Sequence, residues 1–257
     1  MASTGETVTY REFEERSNRL AHLLRSQGLQ RLDHYSLFME NNARYLESEG
    51  AGERSGLYYT GINSYLTAEE MAYIVDNCGA RVFITSPHKA DQAAELLDEM
   101  PAVELRLSVG GPIEGYESYE EAIAAVSPDP RPDRVAGYDM LYSSGTTGRP
   151  KGVLPSVEAN PLETAGTAVA GLGALLLGAN EDTVYLSPAP LYHAAPLRFC
   201  MAQHVLGGTV IVMEHFDAED FLRQIQARKV TATQVVPTMF VRMLKLPEEV
   251  RNRYDVS

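Results

Sequence analysis

Tyr142-Ser143-Ser144-Gly145-Thr146-Thr147-Gly148-Arg149-Pro150-Lys151-Gly152 decides how the chain is read. Asp139-Met140-Leu141-Tyr142 reads as a strand that feeds this loop. Gly145 and Gly148 let backbone N–H groups approach a ligand closely, and successive N–H groups in such a turn form a concave nest for anions. Ser143, Ser144, Thr146 and Thr147 add hydroxyl donors, and Arg149 and Lys151 add positive charge. This is an inventory for holding a polyphosphate. A solvated Ser/Gly/Thr turn is the competing reading. It weakens as the pattern lengthens and is placed behind a buried strand.

The loop does not have the Gly-Lys-Ser/Thr form in which the lysine opens a helix, because Pro150 precedes Lys151 and Gly152 follows it. Pro150 has no N–H, so the donors come from Ser143–Arg149.

Alternation of strands and helices surrounds the loop. Thr9 with Glu12 has the form of a capping box for a helix over about residues 10–27, with Gly28 just past its end. Tyr35–Met39 reads as a strand, and Leu57–Thr60 as another. Thr67 with Glu70 caps a helix that Gly79 ends. Val82–Ile84 and Leu105–Leu107 are strands separated by a helix over 89–99. Beyond the loop come a helix over Pro161–Leu177, a strand Val184–Leu186 and a rigid loop Pro188–His193. A helix over 194–206, a strand Thr209–Met213, a helix capped by Asp217, a strand Thr231–Val236 and a helix Thr238–Leu246 complete the pattern. The fold class is α/β, with mostly parallel sheets flanked by helices. The Pro-rich connector 127–137 divides an α/β subdomain 1–126 from one over 138–257 that carries the loop. Residues 43–56 resist assignment, since Ser48-Glu49-Gly50-Ala51-Gly52-Glu53 lacks an apolar face.

Composition narrows the function. The 257 residues are 44% hydrophobic, enough for a real core, and carry a formal net charge of −13. So acidic a surface argues against nucleic acid or an anionic membrane as partner. An anionic ligand would need a local cationic cluster and a divalent cation. Cys78 and Cys200 are expected to be buried core residues in a reducing compartment. The six histidines show no metal-ligand spacing. No signal peptide or membrane span is read, so a cytoplasmic location is expected.

The loop resembles the signature of the adenylate-forming, AMP-binding enzymes: acyl- and aryl-CoA synthetases, luciferases of the firefly type and the adenylation modules of peptide synthetases. Thr9–Phe13, Ser55–Asn63 with Leu66–Glu70, Ser187–His193 and Val235–Met239 resemble further segments of that family. The nearest likeness is to an acyl-CoA synthetase of the fatty-acid type. The resemblance implies part of a large N-terminal domain. It also implies a reaction in which a carboxylate attacks ATP to give acyl-AMP and pyrophosphate, after which the CoA thiol displaces AMP. Ser143, Ser144, Gly145, Thr146, Thr147, Gly148 and Lys151 would hold the β- and γ-phosphates, with Thr146 beside Mg²⁺. His193 would border the acid pocket with Ala194 and Ala195, and His193, Thr146 and Lys151 would serve catalysis. A histidine after Pro190-Leu191-Tyr192 could instead pack and cap the next helix.

The family's later motifs and its C-terminal domain do not occur in these residues, which implies limited activity for this stretch alone. The expected partners are a small carboxylic acid, ATP and CoA, with a homodimer as the assembly to test. An aryl-CoA ligase or a carrier-protein-loading enzyme is the alternative within the family. A non-catalytic nucleotide-binding or scaffold protein is the alternative outside it.

Overall fold

The computed structural model describes residues 1–143, 149–156, 158–160, 162 and 167–257. The chain forms two compact units, one of Val8–Glu40 with Arg44–Ala165 and one of Met1–Thr7, Asn41–Ala43 and Gly166–Ser257. The Pro-rich stretch 127–137 lies inside the first of them.

The first unit runs α1 (Tyr10–Ser26), β1 (His34–Phe38), α2 (Ala43–Ser55), β2 (Tyr58–Gly61), α3 (Ala68–Cys78), β3 (Ala80–Thr85), α4 (Ala90–Glu95), β4 (Leu105–Ser108), β5 (Glu117–Ser118), α5 (Tyr119–Ala124), β6 (Tyr138–Asp139), β7 (Leu141–Ser143) and β8 (Lys151–Val153). Six strands form one parallel sheet in the order β5-β4-β3-β1-β2-β6, and β7 and β8 form a separate antiparallel pair. Both expected capping boxes are present: Thr9 and Thr67 each accept from the N–H of the glutamate three residues on, which bonds back to the cap. Gly79 closes α3 at φ +69°, a backbone state that costs glycine little. Phe38, Ile62, Met71, Ile74, Val75 and Phe83 make the core beneath α3.

The ambiguous stretch folds as helix α2, and most of it is buried. Its glycines explain how. A Cβ on Gly52 would lie 2.5 Å from both Tyr35 Oη and Tyr59 Cδ1, and one on Gly50 would lie 2.7 Å from Ser17 Oγ. The missing side chains let α2 press onto β1, β2 and α1. Buried Glu47 pairs with Arg16 at 3.0 Å and with Arg44. Glu49, 1% exposed, finds no hydrogen-bond partner for either carboxylate oxygen among the described residues. Desolvation, reinforced by the nearby charges of Glu53 and Asp139, holds its pKa well above the ordinary carboxylate range.

Three expectations need correction. The helix placed at 89–99 is a 3₁₀ turn, Pro87–Lys89, followed by the short α4. The strand placed at 139–142 is broken at Met140, with β6 in the six-stranded sheet and β7 in the hairpin. The strand placed at 231–236 shortens to two residues. Helix α5 was not read at all.

The second unit runs α6 (Thr167–Leu177), β9 (Val184–Ser187), α7 (Ala194–Leu206), β10 (Thr209–Val212), α8 (Ala218–Arg228), β11 (Ala232–Thr233), α9 (Pro237–Leu244) and α10 (Glu248–Arg251). The helix expected from Pro161 is described only from Thr167 onward; its beginning falls largely outside the described residues. A parallel sheet in the order β10-β9-β11 packs Leu186 and Ile211 with Ala2, Met213 and Phe221. Asp217 caps α8 through the Asp220 N–H, as expected. Cys78 and Cys200 are both buried and form no disulfide, and burial pushes the Cys78 thiol up to about 11. Among the described residues no helix is long and apolar enough to cross a membrane.

Glu49 gives a pH prediction. Its folded pKa lies above the unfolded value of 4.5, so the neutral acid is the form that folding favours. Its contribution is full below that value and is lost as pH rises through the folded one. Thermal melts should show Tm falling between pH 5 and pH 8. Glu49→Gln should flatten that fall and raise Tm at pH 8 relative to wild type. Equal slopes for the two proteins would contradict a neutral buried Glu49.

Candidate functional site

The antiparallel pair β7–β8 sets Leu141 opposite Val153, Tyr142 opposite Gly152 and Ser143 opposite Lys151. The intervening segment therefore starts and ends at neighbouring backbone positions. Of the loop candidates, Ser144, Gly145, Thr146, Thr147 and Gly148 lie outside the described residues. Ser143 and Lys151 are described, are both exposed and share the last rung, where Ser143 Oγ donates to the Lys151 carbonyl at 3.4 Å. Among the described residues the Lys151 ammonium forms no ion pair, so its charge is not cancelled by a neighbouring carboxylate there.

The hairpin is packed onto α3. A Cβ at Gly152 would lie 2.5 Å from Met140 Cε and 2.9 Å from Tyr142 Cζ, so the Tyr142 ring lies over the space a side chain there would take. Tyr142 Oη donates to Asn77 Oδ1 at 2.6 Å. Desolvation raises the Tyr142 pKa further above its ordinary value. Arg149, counted from sequence with Lys151 as a source of positive charge, stacks its guanidinium over the Tyr73 ring at 4.9 Å. The sequence reading missed Tyr73 and Asn77. Their i, i+4 spacing, off the apolar positions Met71, Ile74 and Val75, was visible, but nothing local names what they touch.

His193, Ala194 and Ala195 belong to the second unit. The prolines of Pro188-Ala189-Pro190 lead from β9 to α7, where His193 is the N-cap residue, with φ −93° and ψ 145°. Its side chain makes no capping hydrogen bond but its ring packs on Tyr192, so the packing half of that alternative is present and the side-chain cap is not. The exposed ring lies against Tyr192 with centroids 4.4 Å apart, and desolvation lowers its pKa from the usual 6.5. The neutral imidazole is favoured at pH 7. Ala194 is half-buried and Ala195 exposed. Tyr185 packs, stacked on Phe199 at 6.2 Å.

Asn41 holds this loop, and sequence reasoning missed it. Its buried amide donates to the carbonyls of Ala189 at 3.0 Å and Met213 at 2.9 Å, and its Oδ1 accepts from the Leu191 N–H at 2.8 Å. One side chain thus ties the loop after β9 to the end of β10. The available signal was a polar residue just past an apolar strand, at the sheet's carboxyl edge. Asn41→Ala would strand these backbone groups. It should lower unfolding free energy by roughly 2–4 kcal/mol in urea titrations and speed hydrogen exchange at the Leu191 amide. Unchanged exchange at Leu191 would contradict the tether.

Comparison with known proteins gives this geometry its context. The family model described as "AMP-binding enzyme" matches residues 1–257. A feruloyl-CoA synthase of Amycolatopsis sp. is 30% identical over 247 residues, covering 92% of this chain and 45% of the relative. The medium-chain acyl-CoA ligase Mig of Mycobacterium avium is 30% identical over 269 residues, covering 92% of this chain and 49% of that protein. The crystal structure of ATP-bound MatB from Rhodopseudomonas palustris superposes with a TM-score of 0.78 at 26% identity, covering 98% of this chain and 49% of that one. The chain spans about half the length of the curated relatives it matches. With the signature stretch, the α/β sheets and a family match over its whole length, this chain belongs to the AMP-binding enzyme family.

Proposed function

We propose that this chain supplies the phosphate grip and part of the acid pocket of an ATP-dependent acid–CoA ligase. The observation that carries this reading is the β7–β8 hairpin, which sets Ser143 opposite Lys151 at the two ends of a Ser/Gly/Thr loop. In this reading Ser143, Ser144, Gly145, Thr146, Thr147, Gly148 and Lys151 hold the β- and γ-phosphates. A substrate carboxylate attacks the α-phosphorus, the bond to the β-phosphate oxygen breaks and pyrophosphate leaves. CoA thiolate then attacks the acyl carbon of the acyl-AMP and AMP departs. Adenylyl transfer asks the protein mainly for positioning and charge stabilisation, which a donor-lined loop and a lysine provide.

Among the described residues no group of three His, Cys, Asp or Glu could hold a metal. In this reading Mg²⁺ would arrive on the triphosphate and be touched by one hydroxyl, a role we assign to Thr146, which lies outside the described residues. Bound there, Mg²⁺ would neutralise charge on the phosphate oxygens. His193 borders the acid with Ala194 and Ala195. A neutral imidazole at that place leaves the carboxylate anionic and nucleophilic. The small Ala194 and Ala195 favour an aliphatic, fatty acid. An aryl acid is the second reading, favoured by a feruloyl-CoA synthase as similar in identity as the medium-chain ligase.

Calorimetric titration tests both halves. Lys151→Ala should weaken MgATP binding by roughly 10-fold or more, since a charge-assisted hydrogen bond is removed. Unchanged affinity would contradict the phosphate role. His193→Ala should weaken binding of octanoate or ferulate and leave MgATP binding as it was. Whichever acid binds the wild-type chain more tightly selects between the aliphatic and aryl readings, and equal loss for acid and nucleotide would remove His193 from the acid pocket.

A further inference from the structure

Helix α3 reaches the hairpin through two side chains one turn apart. Residues four apart lie on one helix face, so Tyr73 and Asn77 present a single surface. Asn77 Oδ1 receives the Tyr142 hydroxyl at 2.6 Å, and the Tyr73 ring carries the Arg149 guanidinium at 4.9 Å. Tyr142 stands just before Ser143, and Arg149 directly follows Gly148. One turn of one helix therefore touches both arms of the signature segment. The helix is itself well anchored. A capping box fixes its start, Gly79 its end, and Met71, Ile74, Val75 and Cys78 are buried in the core. Gly152 completes the arrangement, because a Cβ there would crowd the Met140 end and the Tyr142 ring.

We infer that Tyr73 and Asn77 are positioning residues for the phosphate loop, setting affinity for a nucleoside triphosphate without touching it. The inference rests on the nucleotide reading above. It reassigns Arg149 within that reading. A guanidinium stacked on a tyrosine is an anchor for the loop's outgoing arm, which leaves Lys151 as the cation at the mouth. Fixing both arms lowers the ordering cost that the ligand would otherwise meet.

The test is MgATP titration of the 257-residue chain. Tyr73→Leu and Asn77→Ala should each weaken binding about 3–10-fold, the scale of one cation–π contact or one hydrogen bond. Tyr73→Phe keeps the ring face, so it should bind nearly as wild type. A double-mutant cycle separates anchor from ligand: Tyr73→Leu combined with Arg149→Ala should lose no more than either alone. Losses that multiply would put Arg149 on the phosphates and overturn the inference. So would Tyr73→Leu and Asn77→Ala variants that bind as wild type while melting within about 2 °C of it. Trypsin supplies a readout without nucleotide: both variants should be cut faster after Lys151, and an unchanged rate counts against the clamp. A wild-type chain that fails to bind MgATP sinks the nucleotide reading and this inference with it. Binding that the variants leave intact sinks this inference alone.

Discussion

On the proposed reading the loop between Ser143 and Lys151 holds a polyphosphate, and a loop does so at lower cost when its two ends are fixed, as the cross-strand pair Tyr142–Gly152 fixes them here. Ordering a residue's backbone costs about 1–2 kcal/mol, so a loop whose arms were loose would spend much of its binding energy on itself. Gly152 has no Cβ, and the Tyr142 ring occupies that space. The ring then reaches Asn77, while Arg149 settles on Tyr73. Beneath those contacts lies α3, and beneath α3 lies the core around Phe38, Ile74 and Phe83. On the proposed phosphate role, affinity at the loop is linked, contact by contact, to packing in the six-stranded sheet.

That sheet imposes its own requirement. Parallel strands are stable when both faces are covered, and α2 is one of the covers. It does this with a sequence unsuited to burial. Glu47 is tolerated because Arg16 and Arg44 neutralise it. Glu49 has no such partner among the described residues, and desolvation pushes its pKa well above the ordinary carboxylate range. The glycines at 50 and 52 allow the close approach that hides both acids. Stability in this unit is therefore coupled to pH through a helix outside the proposed site.

The legible parts of the fold were those decided within a few residues. The capping boxes at Thr9 and Thr67, the Gly79 stop and the Asp217 cap are local hydrogen-bond arrangements, and each is present as read. Helix α2 was not legible, because its burial depends on Arg16 and on Tyr35 and Tyr59, which are distant in sequence. The same division holds at the site. The signature stretch is contiguous, so the sequence announces it. Asn41 binds residues 148 and 172 positions away, and Asn77 meets Tyr142 across 65 positions. No spacing rule reaches those pairs.

The most direct check is the map of backbone amide chemical shifts as MgATP is added to the isotopically labelled chain. The account predicts the largest changes in 143–153, with smaller ones at Tyr73 and Asn77 and none along α1. Shifts that concentrate elsewhere, or an unperturbed hairpin at saturating nucleotide, would contradict it.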